Sequence, residues 1–301
     1  MIIKIGTRGS LLALAQTNIV IDKLKKAFPE HEYQAVVIKT TGDRDLTRPL
    51  DQIGSKGLFV DEIERALLAD EIQLAVHSMK DMPDNPLEGL VFSKPVKRAD
   101  PRDVLILKEG NSLSDLPYGA NVATGSKRRS FQLLKMRPDL HILPIRGNID
   151  TRIRKLKEGL EDGTRLDGII IAAAGIERLG LVVEHTYYFD EKEMIPAPAQ
   201  GTIAIEVAAS NTIMLDMLNS ISDSYTNEIT EVERGFLKAI GGDCHLPVGA
   251  YATKDSSGYK LYALFGNEDG TKLASTVACE ASIDLVIEKA VSAIHEMLEE
   301  S

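Results

Sequence analysis

The stretch IIKIGTRGSLLALAQTNIVIDKLKKAF, residues 2–28, introduces the pattern that the rest of the chain repeats. Ile2–Thr7 is a short apolar run typical of a strand. After it, apolar residues recur at helical spacing, and Ser10 is placed to cap that helix. A strand, a short loop and a helix in this order predict the first unit of an α/β fold.

The same alternation continues through the first two thirds of the chain. Alternating strands and helices predict parallel sheets with crossover helices. From about Asn227 the pattern changes to a helix, three consecutive strands with a turn at Asp269-Gly270, and a closing helix, which predicts a small α+β domain. Between the two parts, MIPAPAQG (194–201) is interpreted as a crossing between domains.

The composition excludes several classes of protein. The 301 residues, 44% of them apolar, suffice for two or three compact domains. The residues MIIKIGTRGS (1–10) carry no basic segment followed by an apolar run and a small-residue cleavage site, so secretion is not expected. No stretch approaches the about 18 apolar residues that span a bilayer. Cys244 and Cys279 are far apart, so neither a disulfide framework nor a metal site is indicated. We therefore expect a cytosolic protein without a membrane partner or a metal, and we expect Cys279 to be buried in a strand.

Charge is unevenly distributed along the chain. The formal net charge is -10, which argues against nucleic acid as a partner because phosphate neutralisation needs a basic face. The interval 127–157 is nevertheless strongly basic, whereas the last third of the chain is acidic. A local basic cleft on an acidic body is typical of a protein that binds a small anion.

Arginines follow three of the predicted strands. Arg128 and Arg129 open a helix directly after a strand, Arg146 and Arg152 flank the next junction, and Arg8 follows the first strand. Ligands of α/β folds gather at the carboxyl ends of strands, where guanidinium groups can grip carboxylates bidentately. An isolated arginine pair is more often a solvated surface charge, but the recurrence of arginines at three junctions favours an anion site.

Asp81 and Cys244 are the candidates for chemistry. Asp81 follows a buried strand and lies among cations, so its carboxylate suits the stabilisation of a developing cation; a turn aspartate before Pro83 is the alternative. His77, in the preceding strand, is interpreted as a core histidine or as one that supports the site residues, rather than as a catalyst. Cys244 follows a helix C-terminus and an aspartate, which both disfavour a thiolate. This leaves Cys244 as a structural cysteine or as a permanent attachment point.

Together these segments resemble the porphobilinogen deaminase family, also called the hydroxymethylbilane synthases. The resemblance covers nearly the whole chain in the same order and rests on long motifs. They are KIGTRGSLLALAQT (4–17), KTTGDRD (39–45), GSKGLFVDEIERALL (54–68), AVHSMKDMP (75–83), RADPRDVLI (98–106), TGSKRRSFQLL (124–134), RPDLHILPIRGNIDTRIRKL (137–156), AAAGIERLGL (172–181), PAPAQGTIAIE (196–206) and GGDCHLPVGAYA (241–252).

The resemblance implies an α/β fold of three domains. Two are like type II periplasmic binding proteins, with the active-site cleft between them, and a small C-terminal α+β domain follows. Their expected bounds are 1–97 with 198–217, 98–197, and 222–301. A dipyrromethane cofactor, itself made from substrate, is expected on Cys244 through a thioether. On it, four porphobilinogen molecules are condensed head to tail with loss of ammonia, and hydroxymethylbilane is released by hydrolysis.

The resemblance also assigns roles to individual residues. Asp81 is the expected catalytic residue, which stabilises the cation left by the loss of ammonia and assists proton transfer. The residues expected to hold the cofactor are Cys244, Lys80, Ser126, Arg128, Arg129 and Arg146. The residues expected to bind substrate are Arg8, Ser10, Gln16, Lys56, Arg152, Arg178 and Gln200. The long loop ahead of Lys56 is similar to the family's mobile lid, and a monomer is expected.

Two other classes of function are compatible with parts of the sequence. A non-catalytic cytosolic protein that binds polycarboxylates needs the arginines but neither Asp81 nor Cys244. A cysteine hydrolase needs a histidine poised on Cys244, and the adjacent His245 points to the opposite face in an extended chain. Lys127, where family members commonly carry an apolar residue, adds a positive charge near the expected cleft.

Overall fold

The computed structural model describes residues 1–40, 60–242 and 246–300. They form two compact units, Met1–Arg98 with Thr202–Glu228 and Ala99–Gly201 with Ile229–Ser301. The backbone leaves the first unit after Arg98 and returns to it after Gly201, at the stretch predicted as a crossing. No helix in the described ranges is long and apolar enough to cross a bilayer.

The elements alternate through the first two thirds of the described chain. The strands are β1 (Ile2–Thr7), β2 (Glu32–Val37), β3 (Leu74–Ser78), β4 (Leu90–Phe92), β5 (Asp103–Leu107), β6 (Asn121–Ala123), β7 (His141–Leu143), β8 (Gly168–Ala172), β9 (Thr186–Tyr188), β10 (Ile203–Ala208), β11 (Gly249–Asp255), β12 (Gly258–Gly266) and β13 (Leu273–Glu280). The α-helices are α1 (Leu11–Ala27), α2 (Asp61–Leu68), α3 (Lys127–Met136), α4 (Ile149–Glu158), α5 (Ala173–Leu179), α6 (Thr212–Ser220), α7 (Ser224–Ala239) and α8 (Ile283–Glu300).

The first strand and helix form as their local pattern predicts. Ile3 and Ile5 alternate along β1 and are fully buried against Leu24 of α1. Ser10 caps α1, because its Oγ accepts a hydrogen bond from the N–H of Ala13 at 3.2 Å. The helix ends just ahead of a proline, which cannot donate a helical hydrogen bond.

Both large sheets are mixed. The first has the strand order β2-β1-β3-β10-β4, and the second has the order β7-β6-β8-β5-β9. β1, β2 and β3 are parallel, as are β6, β7 and β8, whereas β10 and β5 run antiparallel to both of their neighbours. The prediction of parallel sheets is therefore wrong for β10 and β5.

Each of these antiparallel strands is the first strand after a crossing between the units. β5 begins at Asp103, opposite Ala172 at the carboxyl end of β8. β10 begins at Ile203, opposite Ser78 at the carboxyl end of β3. Because the incoming chain reaches each sheet at its carboxyl edge, the new strand must run back towards the amino edge. The carboxyl edge of each sheet thus carries both the strand-to-helix loops and the end of a segment that crosses between the units.

The second sheet is buried on both faces, which explains its continuous apolar runs. Val104 of β5 packs on one face with Leu156 of α4. Leu105, the next residue, packs on the opposite face with Leu133 of α3. The sheet is thereby held between helices and keeps its carboxyl edge in a fixed shape.

The third sheet, in the order β11-β12-β13, is antiparallel and is covered on one face by α7 and α8. The predicted turn at Asp269-Gly270 joins β12 to β13, and Gly270 has a φ of 74°. Ala278 of β13 packs against the helices, so alternation directs Cys279 to the other face, where it is exposed. The expectation of a buried Cys279 is wrong, whereas the combination of α/β and α+β folds is confirmed.

Candidate active site

Asp81 lies at the carboxyl edge of the first sheet. It ends the 3-10 helix Met79–Asp81, which follows β3 directly. The Met79 N–H donates to the carbonyl of Thr202 at 3.0 Å and ties this turn to the start of β10. Asp81 is exposed and Lys80 is half-buried. The carboxylate is thus accessible to a ligand while its backbone is held by two neighbouring strands.

Three more of the predicted site residues lie at the same edge. Gln16 is only 2% exposed, and its Nε2 donates to Ser78 Oγ at 2.9 Å. Ser10 caps α1, and Arg8 follows β1 in a half-buried position. Gln16 therefore fastens α1 to the strand end that carries Asp81, and its substrate contact stays a prediction.

Arg128 and Arg129 are buried around Asp103, a partner that the sequence pattern does not indicate. Arg128 Nη1 donates to Asp103 Oδ2 at 2.7 Å, and Arg129 Nη2 lies 2.7 Å from Oδ1. The arginines are 4% and 6% exposed, and the aspartate is fully buried. Two cations and one anion leave this trio with a net positive charge. The arginines thus grip a carboxylate of the chain itself, and their role towards the cofactor stays a prediction.

The trio holds its charges in spite of burial. Burial by itself raises the pKa of Asp103, but Arg128 and Arg129 together outweigh it and hold that pKa well below its usual range. Burial likewise lowers the pKa of Arg128, and the Asp103 carboxylate opposes that shift. Because a guanidinium group stays protonated in proteins, the positive charge of the trio persists at neutral pH.

Gln200 links this trio to the chain segment that ends at Gly201, and Arg178 contacts the end of that segment. Gln200 is fully buried, its Nε2 donates to Asp103 Oδ1 at 2.9 Å, and its Oε1 accepts from Arg129 Nη2 at 3.4 Å. Arg178 Nη2 donates to the Gly201 carbonyl at 2.6 Å. Burial lowers the pKa of Arg178 to about 10, against the opposing charge of Glu177.

A second nitrogen of the Arg178 guanidinium group is buried at this edge. Arg178 Nε is buried and has no hydrogen-bond partner within the described part of the chain. A buried donor without an acceptor is costly, and a ligand oxygen would remove that cost. A net positive trio and an unsatisfied cationic donor at the same edge of the sheet fit a group that carries several carboxylates, as a dipyrromethane does.

The loops after β6 and β7 bring further predicted residues to the same edge. Ser126 caps α3, and its Oγ accepts from the Arg129 N–H at 3.4 Å. Arg146 is half-buried after β7, and Arg152 Nε donates to the Gly147 carbonyl at 2.8 Å. Since β6, β7 and β8 are parallel, these loops share one edge with the start of β5.

Two predicted site residues fall on parts of the chain that are not described. Lys56, with the loop ahead of it, and Cys244, with His245, lie outside the described residues, so their roles stay predictions. Lys127 is described, and its Nζ lies 3.0 Å from Glu268 Oε1. Its positive charge is therefore paired rather than an addition to the site.

Comparison with known families decides the identity. A family model described as "Porphobilinogen deaminase, dipyromethane cofactor binding domain" matches residues 3–216, and one described as "Porphobilinogen deaminase, C-terminal domain" matches residues 228–299. The chain belongs to the porphobilinogen deaminase family. The predictions of the family, of an enzyme and of a dipyrromethane cofactor are thereby confirmed.

Individual relatives agree with the family match. The porphobilinogen deaminase of Lachnospira eligens is 51% identical over 271 residues, 90% of this chain and 91% of the relative. That of Clostridioides difficile is 48% identical over 274 residues, 91% of this chain and 89% of the relative. Among solved structures, a nutrient binding protein from Burkholderia cenocepacia bound to methionine is 15% identical with a TM-score of 0.45, over 78% of this chain and 95% of that protein.

Proposed function

We propose that this chain condenses four porphobilinogen molecules head to tail, with loss of ammonia at each addition, and releases hydroxymethylbilane by hydrolysis. The observation that carries the proposal is the arginine set at the carboxyl edge of the second sheet, in a chain that matches the porphobilinogen deaminase family along most of its length. A non-catalytic polycarboxylate-binding protein would use the same arginines, but no observation favours it.

The arginines would bind the acetate and propionate groups that each pyrrole ring carries. The trio of Asp103, Arg128 and Arg129 supplies a net positive charge in a buried setting, where attraction to an anion is weakly screened. Arg178 Nε supplies a donor that has no acceptor in the described chain. Arg152 is oriented by its bond to the Gly147 carbonyl, and Arg146 lies in the same loop.

Asp81 would act on the reacting ring. When porphobilinogen loses ammonia, the remaining carbon is cationic, and a nearby carboxylate stabilises that charge and accepts hydrogen bonds from pyrrole N–H groups. Asp81 is exposed on a turn tied to β3 and β10, which supports a fixed carboxylate that a substrate can reach. Gln16 would position this turn through Ser78.

Cys244 would carry the cofactor through a thioether. When bound, dipyrromethane supplies the nucleophilic pyrrole position on which the product is built. On the protein side, Lys80 and Ser126 would hold its carboxylates together with the arginines, and Arg8, Ser10 and Lys56 would bind those of the substrate. Gln200, whose amide is buried between Asp103 and Arg129, would serve substrate binding by holding Arg129 in place. We further propose three domains with bounds near 1–97 with 198–217, 98–197 and 222–301, and a cytosolic monomer without nucleic-acid or membrane partners.

The intact mass of the purified protein tests the proposal. Expressed in a host that makes porphobilinogen, the chain should exceed its sequence mass of 32.9 kDa by two condensed pyrrole units. Cys244→Ser should lack the excess, and Cys279→Ser, which removes the other cysteine, should keep it. A folded wild-type protein at its bare sequence mass would refute the attachment to Cys244 and the proposed reaction with it.

A further inference from the structure

The segment 195–201, called the strap below, contacts three arginines of the proposed site. The Ile195 carbonyl accepts from Arg128 Nη1 at 2.6 Å. Gln200 Oε1 accepts from Arg129 Nη2 at 3.4 Å, and the Gly201 carbonyl accepts from Arg178 Nη2 at 2.6 Å. The path of the strap therefore sets the positions of three guanidinium groups at once.

The strap has a backbone shape that needs external support. Ala199 has a φ of 58°, in the left-handed region that residues with a Cβ rarely adopt. Gly201 has a φ of 86°, and a Cβ there would lie 2.7 Å from the Ala99 carbonyl oxygen, so only glycine fits. A strained conformation of this kind persists where surrounding contacts hold it.

Glu233 of α7 provides that support. It is fully buried, and its Oε2 accepts from the Ala199 N–H at 2.7 Å while its Oε1 accepts from the Ala252 N–H of β11 at 2.8 Å. A second bond, from the Ala250 N–H to the Pro196 carbonyl at 2.9 Å, joins β11 to the other end of the strap. One carboxylate thus links α7, β11 and the strained residue of the strap.

We propose that Glu233 is a positioning residue for these three arginines, of which Arg128 and Arg129 are assigned to the cofactor and Arg178 to the substrate. By holding Ala199 in its left-handed conformation, it keeps the carbonyls of Ile195 and Gly201 and the side chain of Gln200 aimed at the three arginines. The two elements that it joins, α7 and β11, also flank the chain segment that contains Cys244. This inference rests on the proposed function, because it concerns how the same arginines bind carboxylates.

Glu233→Gln removes the support with little change in shape. A carboxylate accepts from two N–H donors, whereas an amide presents an NH₂ group to one of them, so a donor faces a donor and one hydrogen bond is lost. Glu233→Asp keeps the charge but is one methylene shorter, so it can reach only one of the two N–H groups. Glu288→Gln makes the same charge change at an exposed position of α8 and is the control.

Two measurements test the role at 25 °C on folded protein. In Glu233→Gln we expect the KM for porphobilinogen to rise at least tenfold with a smaller change in kcat, because substrate carboxylates meet misplaced arginines. Independently of activity, amide hydrogen exchange of the peptide that covers the strap should accelerate at least tenfold. Glu288→Gln should match the wild type in both measurements.

A second substitution separates positioning from general stability. Glycine adopts the φ of Ala199 without a steric cost, so Ala199→Gly in the Glu233→Gln background should bring the KM back towards the wild-type value. A KM within twofold of wild type in Glu233→Gln, even with a lower unfolding temperature, would overturn the inference. If Glu233→Gln does not fold, Glu233→Asp decides by the same criteria. If the wild type is active and Glu233→Gln has a KM within twofold of it, this inference alone is refuted. If the wild type neither gains the cofactor mass nor turns over porphobilinogen, the proposed function is refuted and the inference with it.

Discussion

Replacing Asp103 by asparagine tests how the second unit depends on its buried ion cluster. Asp103 is fully buried, and each of its oxygens lies 2.7 Å from a guanidinium nitrogen of Arg128 or Arg129. Asp103→Asn keeps the shape of the side chain but leaves two buried cations without a counter-charge. Removing one partner of a buried ion pair costs about 3–5 kcal/mol. At about 2 °C per kcal/mol for a large domain, we expect the unfolding temperature to fall by roughly 6–10 °C.

Thermal and urea unfolding, followed by circular dichroism, measure the effect. The double variant Asp103→Asn/Arg128→Met removes one of the uncompensated cations and should recover part of the loss. Glu158→Gln, in an exposed pair with Arg154, is the control and should change unfolding little. If Asp103→Asn had the same unfolding temperature and urea midpoint as the wild type, the cluster would add nothing to stability, and the reasoning would be refuted.

The cluster also predicts a pH dependence. The folded-state pKa of Asp103 is depressed, so its contribution to the free energy of unfolding is complete above the pKa of an unfolded aspartate, about 3.9. It is lost as the pH falls from there towards the folded-state pKa. Asp103→Asn should therefore lose less stability than the wild type on acidification below about pH 4.

Three further predictions concern single residues. Asp81→Asn should keep the attached cofactor mass but lose turnover at least about a hundredfold, and a near wild-type rate would exclude the role in cation stabilisation. Burial, then Glu206 and Asp61, raise the pKa of Glu64 from 4.5 to about 7, so its contribution to stability is present at acidic pH and is lost as the pH rises through about 7. Glu64→Gln should reduce the fall in unfolding temperature between about pH 5 and 8, and an unchanged slope would contradict this. A thiol reagent should label the exposed Cys279 of the native protein but not Cys279→Ser, and equal labelling of the two would contradict its exposure.

Local signals explain which parts of the fold were predictable. The cap at Ser10 and the alternation of Ile3 and Ile5 depend on residues that are close in sequence, and the structure contains both. The direction of β5 and β10 was not predictable in this way. It depends on where the chain re-enters each sheet, and that is decided by the path of the backbone between the units.

The candidate site likewise combines residues that local sequence signals indicate with residues that only the fold brings together. The adjacency of Arg128 and Arg129 after a strand predicts an anion site. Their partner Asp103 is 25 residues from Arg128 and meets it only through the register of β5. Glu233 carries a sequence signal of its own. It shares the helical spacing of the buried Ile229 and Phe236, and a carboxylate on the core face of a helix needs hydrogen-bond donors from elsewhere.

The sequence by itself determined the alternation of elements, the family and the types of residue available for chemistry, because these are properties of neighbouring positions and of long motifs. Only the tertiary structure decided that two arginines share Asp103, that Arg178 keeps a buried donor without an acceptor among the described residues, and that Glu233 accepts a hydrogen bond from the strap. The physical reason is that a buried charge is stable only with partners, and those partners come from strands and helices that are distant in sequence and adjacent in the fold.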